Sequence, residues 1–143
     1  MASSSDFVTS GKIISSDGEM VVFNPRGTTY QLHLRSAGPA PAGSGPVEAR
    51  IRVEGRKVWT VPSGGNFISP IVGPPRIIQG RVKYMDERTL VVQAGAHVIV
   101  DLPAADSAVD LANGAIAVGN MVNVTALPGA RIEFVAAEVA AKV

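Results

Sequence analysis

The sequence predicts an all-β fold, and three observations lead to this prediction. Fifteen glycines and ten prolines interrupt the 143 residues at close intervals. Short valine-rich runs lie between them, and several alternate strictly between apolar and polar residues, which is typical of strands with one buried face. Hydrophobic residues make up 46% of the chain and charged residues 17%, a composition that favours a folded domain over a disordered one.

The first strands form a predicted meander over residues 7–15, 20–23 and 28–35. A turn is predicted between the second and third strands, where Pro25 and Gly27 lie. Proline presets its φ and glycine tolerates a positive φ, and both properties favour turns. The third strand alternates most clearly. Its predicted inward residues are Tyr30, Leu32 and Leu34, and its outward residues are Gln31, His33 and Arg35.

A hairpin is predicted to follow this meander after a spacer. Residues 36–46 contain only Ala, Gly, Pro and Ser, which predicts a mobile loop. Residues 47–53 and 56–61 are predicted strands, joined by a tight turn at Glu54–Gly55. Residues 66–75 contain Pro70, Pro74 and Pro75 among apolar residues, and this pattern predicts a stiff, extended connector that packs on the rest of the molecule.

The second half is predicted to repeat this plan. Its predicted strands cover residues 76–85, 89–93, 97–102, 121–126 and 131–135, with Pro128–Gly129 as the turn before the last. A short helix is predicted over residues 103–113, because Pro103 suits a first helical position and Gly114 a C-terminal cap. Residues 136–143 form an alanine-rich tail. The inward residues predicted for this half are Val82, Leu90, Val98, Val100, Val122, Val124, Ile132 and Phe134.

An internal repeat relates the two halves. Gly11-Lys12-Ile13-Ile14 matches Gly80-Arg81-Val82-Lys83, and Asp17 falls on Asp86 at the same spacing. The second strands align if one residue is inserted. In this alignment Tyr30, Leu32 and Leu34 fall on Val98, Val100 and Leu102. Repetition of this kind indicates two copies of one supersecondary unit.

Each half therefore has a three-stranded meander, a spacer and a hairpin, and this order resembles that of an OB-fold, a small Greek-key barrel. The resemblance implies two tandem OB-like barrels: a first barrel in residues 1–65, a proline-rich connector in residues 66–75, and a second barrel with the short helix and tail in residues 76–143. The alternative is a single β-sandwich of about ten strands with one shared core.

The sequence offers little catalytic chemistry, and we expect no enzyme, metal or cofactor. Cysteine is absent, which excludes disulfides and thiolate chemistry. His33 and His97 are the only histidines and have no ligand or base partner at a useful spacing. Asp17 and Asp86 are interpreted as turn-capping residues. Without a signal peptide or an apolar run of roughly 18 residues, the chain is expected to be cytoplasmic and to lack a membrane span.

One group of residues combines basic and aromatic side chains, as sites for single-stranded nucleic acid do. It lies on the predicted hairpin and the outward face of the third strand. The formal net charge of the chain is only +1, so we treat binding of nucleic acid or an oligosaccharide by these residues as the alternative function. They are Gln31, His33, Arg35, Arg50, Arg52, Arg56, Lys57 and Trp59.

The favoured expectation is a non-catalytic structural or protein-interaction module that self-associates. The connector is too apolar for a solvated linker, and exposed apolar surface of this kind marks contact with a partner. We therefore expect a homo-oligomer, and a different protein is the alternative partner. The predicted self-association surface consists of Phe67, Ile68, Ile71 and Val72.

Overall fold

The computed structural model describes residues 7–17, 19–37, 46–61, 64–86, 88–102 and 116–135. These residues form eleven strands and no helix, so the all-β prediction is confirmed. The predicted helix (103–113), the tail (136–143) and most of the predicted loop (38–45) lie outside the described residues. The strands are β1 (Thr9–Ser16), β2 (Met20–Pro25), β3 (Gln31–Ser36), β4 (Pro46–Thr60), β5 (Phe67–Ser69), β6 (Val72–Gly73), β7 (Ile77–Met85), β8 (Thr89–Gln93), β9 (His97–Asp101), β10 (Met121–Ala126) and β11 (Arg131–Phe134).

The strand pairings form two closed rings that share β4. The first ring runs β1-β2-β3-β11-β4 and returns to β1, with β11 parallel to β3. The second ring runs β7-β8-β9-β4-β10 and returns to β7, with β9 parallel to β4. The N-terminal part of β4 pairs with β1 and β11, and its C-terminal part pairs with β10. Closed rings of this kind leave few unpaired edges.

The hairpin predicted at Glu54–Gly55 is wrong, because β4 runs through these residues without turning. Gly55 is needed for close packing instead: a Cβ atom there would lie 2.8 Å from Cγ1 of Val100 in β9. One residue later, Arg56 has no partner in the β4–β10 register and forms a β-bulge. Before the bulge the odd-numbered residues of β4 point inward, and after it the even-numbered residues do. Gly55 and Val58 are therefore both buried although they are three positions apart.

The predicted hairpin between the last two strands is also wrong. Among the described residues, β10 and β11 pair with different parts of β4 rather than with each other: Val124 lies opposite Val58, and Ile132 lies opposite Ile51. The two halves therefore exchange strands, since the C-terminal part of β4 completes the second ring and β11 completes the first. The pairings cross the predicted connector, and the division into residues 1–65, 66–75 and 76–143 describes only the order along the chain.

The repeat is visible in the meanders, although the sequence alignment needs correction. Gly11 and Gly80 both lack room for a Cβ atom, since it would meet the carbonyl oxygen of Asn24 or Gln93 on the paired strand. A bulge follows each of these glycines three residues later. The register then equates Phe23 with Val92 at the spacing that relates Gly11 to Gly80, and it equates Leu32 with Val98 after a connection that is three residues shorter in the second half. The corresponding rows of three neighbouring residues are Ile13–Phe23–Leu32 and Val82–Val92–Val98.

A single apolar core joins the two rings. The residues predicted to be inward in the second half are buried, except that Phe134 is partly exposed, and Ile132 and Phe134 belong to the first ring. Tyr30 links the rings directly: its hydroxyl donates to the carbonyl of Ala94 and accepts from the N–H of Ile68, both at 3.0 Å. No helix in the described part of the chain is long and apolar enough to cross a membrane.

The connector is part of the sheet. Its first strand, β5, pairs antiparallel with β7, and its second, β6, pairs parallel with β3. The N–H of Gln31 also donates to the carbonyl of Ile71 at 2.7 Å. The connector therefore fastens the second ring to the first, and the prediction that it packs on the molecule is confirmed.

Candidate binding surface

The straight course of β4 separates the basic residues that the predicted hairpin would bring together. Arg50 and Arg52 point outward from the first ring, where β4 pairs with β11. Arg56, Lys57 and Trp59 lie beyond Gly55, where β4 pairs with β10. The structure thus divides the predicted site into two surfaces with different surroundings.

The first of these surfaces is occupied by ion pairs within the molecule. The guanidinium of Arg52 contacts Asp101 at 3.0 Å and Glu133 at 3.2 Å, and only 18% of its side chain is exposed. Arg131 lies 3.5 Å from Asp101 and 3.9 Å from Glu54. Because these arginines already have carboxylate partners from β9, β4 and β11, Arg52 is not available as a free cation for a polyanion.

The outward residues of β3 lie beside these ion pairs. Arg35 is opposite Arg131 in the parallel β3–β11 register, and Gln31 and His33 follow along the same strand. Gln31 and Arg35 are exposed, and His33 is partly buried. These residues share a surface with Arg52 rather than with Trp59, so the structure does not bring the predicted group together as one site.

The second surface is built on four adjacent strands of the second ring and its connector: β4, β10, β7 and β5. We call the outward side of these strands the basic sheet face. Three of the large hydrophobic side chains that remain exposed lie on it: Trp59 at 37%, Phe67 at 38% and Ile77 at 39%. The face consists of Arg56, Lys57, Trp59, Phe67, Ser69, Ile77, Gln79, Arg81, Asn123 and Thr125.

The strand register places these side chains in two rows. Trp59, Asn123, Gln79 and Phe67 follow one another across the four strands. Neighbouring strands lie about 4.8 Å apart, so the two aromatic residues are separated by about 14 Å. In the next row, Lys57, Thr125, Ile77 and Ser69 succeed one another in the same way.

The basic sheet face carries positive charge only. Arg56, Lys57 and Arg81 are exposed on it, and residues 56–59, 67–69, 77–81 and 121–125 include no Asp or Glu. The Lys57 ammonium lies 5.6 Å from the centroid of the Trp59 ring, within the range of a cation–π interaction. A face with this charge and two exposed aromatic rings suits an anionic ligand that contains planar groups.

Two amide side chains lie between the aromatic residues. Gln79 uses its Nε2 to donate to the carbonyl of Gly65 at 2.9 Å. The Oδ1 atom of Asn123, between Trp59 and Gln79, is buried without a hydrogen-bond partner, the one such side-chain atom in the described part of the chain. Leaving a buried acceptor unpaired costs about 1–3 kcal/mol, so a donor supplied to this atom would be favourable.

The residues predicted for self-association are also divided. Phe67 belongs to the basic sheet face, whereas Ile71 and Val72 lie at β6 and are 54% and 56% exposed. Ile68 is 1% exposed within the single chain, because its side chain points into the core from β5. Ile68 is therefore unable to contribute to a self-association surface, and that part of the prediction is wrong.

Asp17 and Asp86 have the turn-capping role expected of them. Oδ1 of Asp17 accepts from the backbone N–H groups of Met20 at 2.8 Å and Glu19 at 2.9 Å, and these bonds lower the pKa of Asp17. Oδ1 of Asp86 accepts from the N–H of Arg88 at 2.9 Å. This bond, with help from the hydroxyls of Thr89 and Tyr84, lowers the pKa of Asp86.

His97 also has a structural environment. Its Nδ1 lies 3.4 Å from the carbonyl oxygen of Val8, and the Phe7 ring meets it edge-on at 5.4 Å between centroids. Its backbone N–H donates to Oγ1 of Thr9 at 3.1 Å. These contacts join the start of β1 to β9 of the second ring.

No protein-family model matches the chain, and no significant match is found among curated proteins or solved structures. Sequence reasoning identified Arg56, Lys57 and Trp59 but missed Ile77, Arg81 and Asn123. Alternation along β7 and β10 could have identified these as outward residues, but only the long-range pairing places them beside Trp59.

Proposed function

We propose that the chain is a non-catalytic module that binds single-stranded nucleic acid on the basic sheet face. The observation that carries the proposal is that Trp59 and Phe67 are exposed among Arg56, Lys57 and Arg81 on described strand segments that contain no Asp or Glu. Proteins that bind single strands use cations to hold phosphates and aromatic rings to stack bases. The resemblance of the strand order to OB-folds supports the same function, because many of these bind oligonucleotides.

The charge of the face also bears on which partner suits it. In a symmetric dimer built on this face, the cations of one copy would lie against those of the other, and such like-charge contacts are costly. A phosphate backbone supplies the opposite charge at every nucleotide. The face is thus better suited to a polyanion than to a second copy of the chain.

The proposal is tested by the salt dependence of binding to a fluorescently labelled, mixed-sequence DNA oligonucleotide, measured by anisotropy. If three cations contact phosphates, affinity should fall about 20-fold between about 50 mM and 200 mM salt. An Arg56→Ala/Lys57→Ala variant leaves one cation on the face, so its affinity should be weaker and should fall only about three-fold.

A matched control removes the same charge elsewhere. Lys12 and Arg26 are exposed on the first ring, and Lys12→Ala/Arg26→Ala should keep the affinity and salt dependence of the unaltered chain. If the oligonucleotide does not bind, or if both double variants weaken binding equally, the proposed function is wrong.

Self-association is a second candidate function, and the exposure of Ile71 and Val72 favours it. These are the two most exposed apolar residues of the connector, at 54% and 56%. They lie next to each other at β6, which pairs with β3 on one edge. A sheet edge can pair with the same edge of another copy through its backbone N–H and C=O groups, and apolar side chains beside that edge favour the contact.

A further inference from the structure

We propose that Asn123 selects the base that binds beside Trp59, and that the selected base is adenine. This inference rests on the proposed function and adds the ligand preference of the same face. Asn123 is directly opposite Trp59 in the β4–β10 register. A base stacked on the indole ring would therefore lie next to the Asn123 carboxamide.

The unpaired state of Asn123 Oδ1 is the observation that carries this inference. Gln79, on the other side of Asn123, is already engaged through its Nε2 with Gly65. Oδ1 of Asn123 has no donor in the described part of the chain, although Thr125 and Trp59 lie on the same face. A ligand that offers a donor at this point gains a hydrogen bond without breaking one within the protein.

The chemistry of a carboxamide determines which base fits best. It presents an acceptor oxygen and a donor nitrogen side by side. Cytosine also presents this pair, at N4 and N3, but adenine presents it on two edges, because its N6 amino donor lies between the N1 and N7 acceptors, and asparagine commonly binds adenine through N6 and N7. Oδ1 is covered in the free chain, so binding includes rotation of the Trp59 or Asn123 side chain. Because Trp59 is the only tryptophan, this rotation and the stacking are reported by intrinsic fluorescence.

The experiment titrates the full chain with ten-nucleotide oligo(dA), oligo(dC) and oligo(dT) and follows quenching of Trp59. A good bidentate contact discriminates between bases by about 1–3 kcal/mol, so oligo(dA) should bind at least about five-fold more tightly than oligo(dT). Asn123→Ala should bring this ratio close to one. Asn123→Asp keeps the acceptor and loses the donor, so oligo(dC), whose N4 amino group suits a carboxylate, should become the tightest ligand of the three.

Gln31→Ala is the matched control, because it removes an exposed carboxamide from β3 of the first ring, away from the basic sheet face. It should retain the preference for oligo(dA), and thermal melting should show that all three variants fold. Equal binding of the three oligonucleotides by the unaltered chain would overturn base selection and leave the proposed function standing. A preference for oligo(dA) that survives Asn123→Ala would overturn the role of Asn123. If none of the oligonucleotides binds, the proposed function fails and this inference fails with it.

Discussion

Asp17 and Asp86 show how one side chain can close a turn in each half of the molecule. Each follows the first strand of its meander and accepts backbone N–H groups from residues two and three positions later. Both also donate their own N–H across the turn, to Met20 and Thr89 respectively. Their carboxylates stabilise the folded chain in the ionised form, which is why the pKa of each is lowered.

Stability should therefore depend on pH through these turns. A carboxyl group with a lowered folded-state pKa stabilises the protein above its ordinary pKa, which is 3.8 here, and this stabilisation is lost as the pH falls through the folded-state pKa. Asp86→Asn keeps an acceptor but does not ionise. We expect the unaltered chain to melt at a higher temperature than this variant near neutral pH, and we expect the difference to disappear by about pH 2.

Thermal melting at a series of pH values measures this difference. Glu48→Gln removes an exposed charge from β4 and provides the charge-matched control, whereas Asp17→Asn should behave like Asp86→Asn. A melting difference between Asp86→Asn and the unaltered chain that is the same at every pH would show that the ionised carboxylate is not the stabilising form.

At the scale of elements, the sequence predicts the strands well but not the path of β4. Alternation locates the buried residues on both sides of Gly55, and the same alternation fits a hairpin and a straight strand. Consecutive strands pair with each other in about two-thirds of cases, so a glycine between two strands suggests a hairpin. Here the glycine is required because β9 approaches β4 closely, and a contact with Val100, 45 positions away in the chain, leaves no local signal.

Substitution of Gly55 tests this explanation. In Gly55→Ala the added methyl group would overlap Cγ1 of Val100, which is completely buried and has little room to move. Overpacking of a core in this way costs about 1–3 kcal/mol, so the free energy of unfolding should fall by about that amount. Urea denaturation is the measurement.

Gly65→Ala is the control for Gly55→Ala, because an added Cβ at Gly65 meets no atom within 4 Å. Its stability should be unchanged or slightly raised, since alanine also restricts the unfolded chain. Equal stability of the two alanine variants would show that Gly55 has another role.

At the scale of the whole molecule, the sequence predicts the repeat but not the exchange of strands. The candidate site was likewise predictable in part: its local residues could be identified from the sequence, and its long-range neighbours could not. Arg56, Lys57 and Trp59 could be predicted because their alternation and composition are local. Phe67, Ile77 and Asn123 join them only because β5, β7 and β10 are neighbours in the folded sheet. The ion pairs of Arg52 depend in the same way on partners from β9 and β11.

Self-association is also tested at this scale. If β6 forms a contact between copies, light scattering should show a dimer or a larger species for the unaltered chain. Replacing Ile71 and Val72 with lysine should shift it to a monomer, because charged side chains at a sheet edge oppose pairing. The melting temperature should change little, since both side chains are more than half exposed.

Replacement of Ile14 with lysine is a suitable control for this experiment. Ile14 is an exposed apolar residue, at 43%, and it lies in the bulge of β1 rather than at β6. A monomer at high concentration for the unaltered chain would contradict self-association and would leave the proposal for the basic sheet face unaffected.

The exchange of strands determines the order in which a growing chain can complete its structure. The second ring needs residues up to Ala126, whereas the first ring needs β11, which ends at Phe134. During synthesis on the ribosome, β1, β2 and β3 emerge first. Their ring cannot close until β11 has emerged, which happens after all the strands of the second ring have been made. The part of the protein that is made first is therefore finished last, and a nascent chain that has emerged from the ribosome as far as Ala126 but not as far as Phe134 can close the second ring while the first ring stays open.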